Sequence, residues 1–418
     1  MSWLGGRSKH FLLPILAAAM VARGTLAADA ATNAEVFDGA FNLKGSLGVE
    51  ERIFALRPAF DGQDRAIVQT SLTAAADATW TSDDKRLDVD ISPFLRLDDT
   101  DEKRTHWDLR EAAVNYYAGA VDLRVGISKV YWGVTESHQV VDIVNQSDMV
   151  EEPRGTEKLG QPMVMLRGRV DAIEATALLL PAFRPRTFPG VDGRLRPALV
   201  IDSADAQYES SAGTHRLDTA VRLKARIDDF DVGLSFFDGT SREPRFEFAG
   251  GKLVPVYDVI DQVGLDLQAT LGATLLKLEA ISRDGYRGPG SRRFSAVVAG
   301  VEQTFAQAFD SAADVGLVLE YNWDDRPPSA PPTIYDNDFF LGARFAFNDV
   351  GDSSGILGTL IDAEKGSVYA RLEGSTRIRE SLRLEFEGEF VIYASDLDGV
   401  LQQFKDDSFI TIRLKQYL

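Results

Sequence analysis

The chain from Leu382 to Ile392 alternates without a break. Leu382, Leu384, Phe386, Phe390 and Ile392 fall on one side of an extended backbone, and Arg383, Glu385, Glu387 and Glu389 fall on the other. Successive side chains of a strand point to opposite faces, so a period of two marks a strand with two unlike surroundings. Leu217 to Ile227 repeats the pattern, with Leu217, Val221, Leu223 and Ile227 opposite Arg216, Asp218, Arg222, Lys224 and Arg226. So do Leu87 to Leu97, Val121 to Ile127, Val164 to Val170, Val263 to Leu271, Val315 to Trp323, Phe339 to Phe347, Val368 to Leu372 and Ile410 to Leu414. Several of these segments alternate for about nine to eleven residues, the length a membrane strand needs, whereas soluble strands average about five or six. Nothing after residue 30 approaches the roughly 18 uninterrupted apolar residues of a spanning helix.

The connections alternate as well. Short turns at Ala118-Gly119-Ala120, Asp171-Ala172, Asp228-Asp229, Gly272-Ala273 and Arg379-Glu380 take turns with longer Gly-, Pro- and Asp-rich stretches. The longer ones run from Pro181 to Gly213, Gly239 to Gly251, Gly285 to Arg292 and Asp324 to Thr333. Short turns at one end and long loops at the other are the layout of an outer-membrane barrel. Hydrocarbon offers no partner to an unpaired strand edge, so such a sheet has to close on itself. The expected fold is all-β: a transmembrane antiparallel barrel of about 18 strands, with about 16 as the fallback count, carrying one inward-folded segment. Aromatic residues near strand ends (Trp80, Trp107, Tyr116, Tyr117, Tyr131, Trp132, Trp323, Tyr335, Tyr393) read either as an interfacial girdle or as core aromatics, the girdle being preferred.

The compartment follows from the N-terminus. Arg7 and Lys9 precede an apolar run from Phe11 to Val21, and Ala28-Asp29-Ala30 supplies a cleavage pattern, with Thr25-Leu26-Ala27 as a second candidate. Residues 1–30 therefore read as a cleaved signal peptide, and residues 31–418 as one barrel domain placed in the outer membrane. A formal charge of −19 argues against a nucleic-acid partner. The absence of cysteine excludes disulfides, thiolate catalysis and cysteine metal sites. The outer-membrane lipid is the expected surrounding.

A family resemblance enters between residues 105 and 170. Leu109-Arg110-Glu111-Ala112-Ala113-Val114-Asn115-Tyr116-Tyr117, then Asp122-Leu123-Arg124-Val125-Gly126, Val130-Tyr131-Trp132-Gly133, Ser137, Val141-Asp142-Ile143-Val144-Asn145 and Asp148 follow in order. This set resembles a proteobacterial outer-membrane barrel family of unknown function, similar in appearance to alginate-export and substrate-selective porins. The resemblance implies a channel or export barrel, a small or lipid-like cargo, the barrel assembly machinery as a partner in biogenesis, and an inner-membrane pump as a further partner. The C-terminus departs from the pattern of such barrels, because Leu418 stands where Phe is usual.

Two features carry the functional expectation. Residues Tyr131 to Gly160 do not alternate, yet contain Trp132, Gly133, Asp142, Asn145 and Asp148 among apolar Val140, Val141, Ile143, Val144, Met149 and Val150. A connection this long inside a compact domain is usually functional. It is expected to fold into the lumen as a constriction, pinned by Asp142 and Asn145; packing on the outer rim is the alternative. The second feature is charge on lumen-facing positions: Arg167, Arg169, Arg222, Lys224 and Arg226 in the first half, and Glu385, Glu387 and Glu389 near the end. Rows of opposite sign would set up a transverse field across a water-filled pore, unless neighbouring charges pair them off. No catalytic residue, cofactor or metal is expected. The rival readings are an outer-membrane lipid hydrolase, for which Ser137, His138 and Asp142 are the candidates, and a soluble exported β-sandwich.

Overall fold

The computed structural model describes residues 39–418, so the expected signal peptide lies outside the described residues. The strands in chain order are β1 (Gly39–Phe54), β2 (Val68–Ser82), β3 (Leu87–Asp98), β4 (His106–Ala118), β5 (Val121–Ser128), β6 (Gln161–Val170) and β7 (Ile173–Leu180). There follow β8 (Gln207–Tyr208), β9 (Asp218–Ile227), β10 (Phe230–Thr240), β11 (Arg245–Ala249), β12 (Lys252–Tyr257), β13 (Val259–Leu271) and β14 (Thr274–Asp284). The last seven are β15 (Phe294–Phe305), β16 (Asp314–Asp324), β17 (Asn337–Ala346), β18 (Ser354–Asp362), β19 (Val368–Arg379), β20 (Leu382–Tyr393) and β21 (Phe409–Tyr417). Eighteen of them form one sheet, all except β8, β11 and β12. Each barrel strand pairs antiparallel with the next, and β1 pairs with β21 from Ser46–Tyr417 to Phe54–Phe409. That last ladder closes the barrel and removes the edge.

The two faces separate as the alternation requires. Leu166, Val221, Leu223, Leu234, Val263, Leu317, Leu319, Leu341 and Leu357 are exposed on the outside. The alternate positions of these strands face inward, and Asp266, Glu279, Glu320 and Asp338 are buried there. An apolar outer wall around a polar interior is what a lipid-embedded barrel demands. Trp107, Tyr116, Trp323 and Tyr393 stand exposed near strand ends, as a girdle would. Trp132 and Tyr335 do not belong with them: Trp132 is buried within the lumen, and Tyr335 stacks on His138 at 4.3 Å.

The first described residue, Gly39, and the C-terminal Leu418 lie at the end of short turns, where Gly39 pairs with Ser82 and the Leu418 N–H donates to Gly45 O. The two-residue turns after β6 and β9 begin with Asp171 and Asp228, both left-handed (φ 51° and 52°), the geometry tight hairpins favour. At the opposite end, β11 and β12 form a hairpin that β8 extends in parallel, and a short helix α1 (Leu401–Phe404) precedes β21. The principal core lies inside the barrel. Val140, Val141, Ile143 and Val144 pack with Met163, Leu178, Leu180, Ala220, Phe237, Ile260, Ile281 and Phe294 of the inner wall.

Candidate functional site: a segment anchored across the lumen

Residues 129–160 leave the barrel after β5 and rejoin it at β6 without forming a strand. Their apolar side chains find cover inside the barrel, and their polar groups find the charged inner wall. Asn145 closes the neck. It accepts from the Val130 N–H through Oδ1 at 2.8 Å, and its Nδ2 donates to Ser128 O and Leu159 O at 2.8 and 2.9 Å. One buried amide thus ties together the departing and returning strands. Asp142 works within the segment, its carboxylate 3.6 Å from Lys158. Asp148 accepts the Thr187 hydroxyl at 2.6 Å, linking the segment to the loop after β7; burial pushes its carboxyl up. Trp132 is buried with the Arg222 guanidinium 5.2 Å above its ring. Gly133 has φ +113°, and a Cβ there would come 2.8 Å from Glu279 Oε1. Glycine alone lets the chain turn so close to that carboxylate.

The far wall holds the segment by carboxylates. Glu279 on β14 accepts the N–H groups of Val134 and Thr135 at 2.6 and 2.9 Å, the Val141 N–H at 3.2 Å and the Thr135 hydroxyl at 2.6 Å. Glu320 on β16 accepts the N–H groups of Glu136 and Ser137 at 2.8 and 2.7 Å, and the Ser137 hydroxyl at 2.6 Å. Glu136 then reaches Arg371 on β19 at 2.7 Å and Arg344 on β17. On another side, Glu151 binds Arg96 of β3 in a bidentate pair at 2.7 and 2.9 Å. Arg154 meets Glu373 at 2.7 Å and Glu389 at 3.1 Å. The segment therefore spans the interior from β5 to β14, β16, β19 and β20. Charge-assisted bonds of this kind are about twice as strong as neutral ones.

The charged rows lie on the lumen face, and most members have partners. Arg167 meets Asp122 at 2.9 Å, Arg169 meets Glu174, and Arg222 meets Asp266 at 2.8 Å. Glu385 meets Lys415 and Glu387 meets Arg413, each at 2.8 Å, while Glu389 faces Arg154. Lys224 and Arg226 are exposed toward the short-turn end and, among the described residues, make no ion pair. The acidic row is thus offset by cations, and the basic row keeps two free charges. Glu279 and Glu320, which anchor the segment, were not singled out in the sequence. Their alternation with apolar neighbours marks them as lumen-facing, but nothing in the sequence points to the backbone they cap.

The hydrolase candidates do not assemble. Ser137 Oγ bonds Glu320 and Asn322, His138 stacks on Tyr335, and Asp142 pairs with Lys158. Elsewhere in the barrel, Asp336 and Asp338 approach Asp362, with the Lys365 ammonium bonded to Asp336 and 3.3 Å from Asp362.

No protein-family model matches the chain, and no curated protein matches it in sequence. Solved structures match in fold. The outer membrane protein OpdK of Pseudomonas aeruginosa superposes with a TM-score of 0.50 at 12% identity, over 90% of this chain and 98% of that one. A BenF-like porin from Pseudomonas fluorescens Pf-5 gives 0.50 at 10% identity, over 90% and 98%. Wzi of Escherichia coli, described as a carbohydrate-binding β-barrel involved in capsule assembly, gives 0.51 at 9%, over 88% and 83%. With its closed 18-stranded sheet, apolar outer wall and anchored lumenal segment, the chain has the porin-like fold of outer-membrane β-barrels.

Proposed function

We propose that the protein is an outer-membrane channel, exported by its N-terminal signal, in which residues 129–160 set the narrowest cross-section for a small or lipid-like cargo. The observation that carries this reading is the anchoring of that segment to opposite sides of the lumen, by Asn145 at the neck and by Glu279 and Glu320 on the far wall. A segment fastened so firmly narrows the path without contributing to the closed wall, so pore size and barrel stability are separable. Lys224 and Arg226, free beyond the constriction, favour anions at low ionic strength. The test is ion conductance of the purified protein in planar bilayers, with heat-modifiable gel mobility as the check on folding. Discrete conductance steps support the channel. A folded barrel that conducts nothing from either side contradicts it.

A further inference from the structure

The loop end of the barrel opens into a cavity of about 1480 Å³, floored by the lumenal segment and walled by the loops after β7, β10, β16 and β20. Its walls are of two kinds. One is apolar: Phe188, Leu195, Leu199, Phe246, Leu253 and Ile334 line it, with Phe188 and Phe246 edge to face at 5.7 Å. The other is a cluster of three guanidiniums around two carboxylates. Arg283 meets Glu243 at 2.9 Å; Arg326 meets Asp324 at 2.6 Å and Glu243 at 3.6 Å.

Arg186 completes the cluster without a carboxylate of its own. Its Nε donates to Gln146 Oε1 at 3.1 Å and its backbone N–H to the Tyr257 hydroxyl at 3.0 Å, and among the described residues it makes no ion pair. Within this cluster three guanidiniums therefore share two carboxylates, and Arg186 is the one of the three without a direct ion pair. His138 adds none at neutral pH, since burial lowers its pKa to about 4. Burial also pushes the Arg186 guanidinium below its ordinary value, with Glu243 the charge that most opposes that shift. A half-buried cation beside an apolar wall is an incomplete site, because buried charges are ordinarily paired.

We infer that this cavity binds a single-tailed anionic amphiphile, its oxyanion head on Arg186 and its hydrocarbon body against Phe188, Leu199 and Phe246. The head supplies the missing countercharge and accepts from the guanidinium fork, which suits planar or tetrahedral oxyanions. The tail removes the apolar wall from water. The inference rests on the channel reading, since it names the class of molecule the channel would receive at its loop end.

Octanesulfonate is the probe, its charge being independent of pH, and binding is measured by titration calorimetry on the full chain in lipid nanodiscs, with empty discs subtracted. Methanesulfonate supplies the head without the tail, and octyl glucoside the tail without the charge. The expected order is octanesulfonate well ahead of both. Arg186→Gln should weaken octanesulfonate about tenfold or more, as loss of a charge-assisted bond does, and Arg186→Lys should retain most of the affinity. Phe246→Ser should weaken it several-fold. Octyl glucoside binding as tightly as octanesulfonate, or wild-type affinity in Arg186→Gln, would overturn the assignment. If Arg186→Gln fails to fold, Phe246→Ser and the three-ligand comparison on the unaltered protein decide. The readout does not depend on conductance. A protein that conducts but does not bind loses this site and keeps the channel; one that binds but does not conduct does the reverse.

Discussion

His138 shows how burial tunes a single residue. Its ring lies flat on Tyr335, 3° from parallel, and its pKa falls from 6.5 to about 4 through burial, opposed by Glu243 and reinforced by Arg326, Arg283 and Lys158. Below about pH 6.5 the unfolded chain takes up a proton that the folded site refuses until about pH 4. The folded state binds fewer protons in that window, so stability falls as the pH drops through it. His138→Gln should flatten part of that decline, read as the difference in denaturation midpoint between pH 7 and pH 4.5; an unchanged decline would put the ring in contact with free water. Asn145 is the other residue on which much depends. Asn145→Ala leaves the Val130 N–H and the carbonyls of Ser128 and Leu159 without their partner, at a cost of about 3 kcal/mol. The loss should appear as a lower midpoint and a noisier open-channel current. On the outer face, Leu341→Arg should cost about 2–4 kcal/mol in vesicle refolding, whereas the lumen-facing Lys224→Gln should fold as the unaltered chain does.

Among the elements, strands were easier to read than the segment between them. The alternation of Leu217 to Ile227 and of Leu382 to Ile392 is a local property, and the structure realises it as β9 and β20. The inward path of residues 129–160 was legible only through its unburied-looking valines, Val140, Val141 and Val144, which needed a wall. Which wall was not legible. Glu279 and Glu320 lie 144 and 183 residues from the N–H groups they accept, at Thr135 and Ser137, and sequence spacing carries no such distance. The same holds for charge rows: Glu387 reads as a water-facing carboxylate, but it is buried against Arg413, contributed by the adjacent strand β21. The field across the lumen therefore rests on its unpaired members. Replacing Lys224 and Arg226 by Gln should move the reversal potential toward cation selectivity at low salt, with little change at about 1 M, where screening acts over about 3 Å. No shift at any salt would place both side chains off the conduction path.

The whole molecule is a closed wall with a fastened insert, and the two have separate physical origins. The wall is held by a continuous ladder from β1 through β21, which lipid enforces because an open edge has nowhere to bond. The insert is held by side chains, so its removal should leave the ladder closed. The number of strands was readable because turns and loops punctuate the chain at regular intervals; the proposed binding cavity was not, since it is lined by loops that only the fold brings together. The most direct test of the account is therefore single-channel conductance of the protein before and after residues 134–157 are replaced by a short Gly-Ser link. The account predicts a barrel that remains heat-modifiable and conducts in larger steps. A folded deletion variant with unchanged conductance would contradict it.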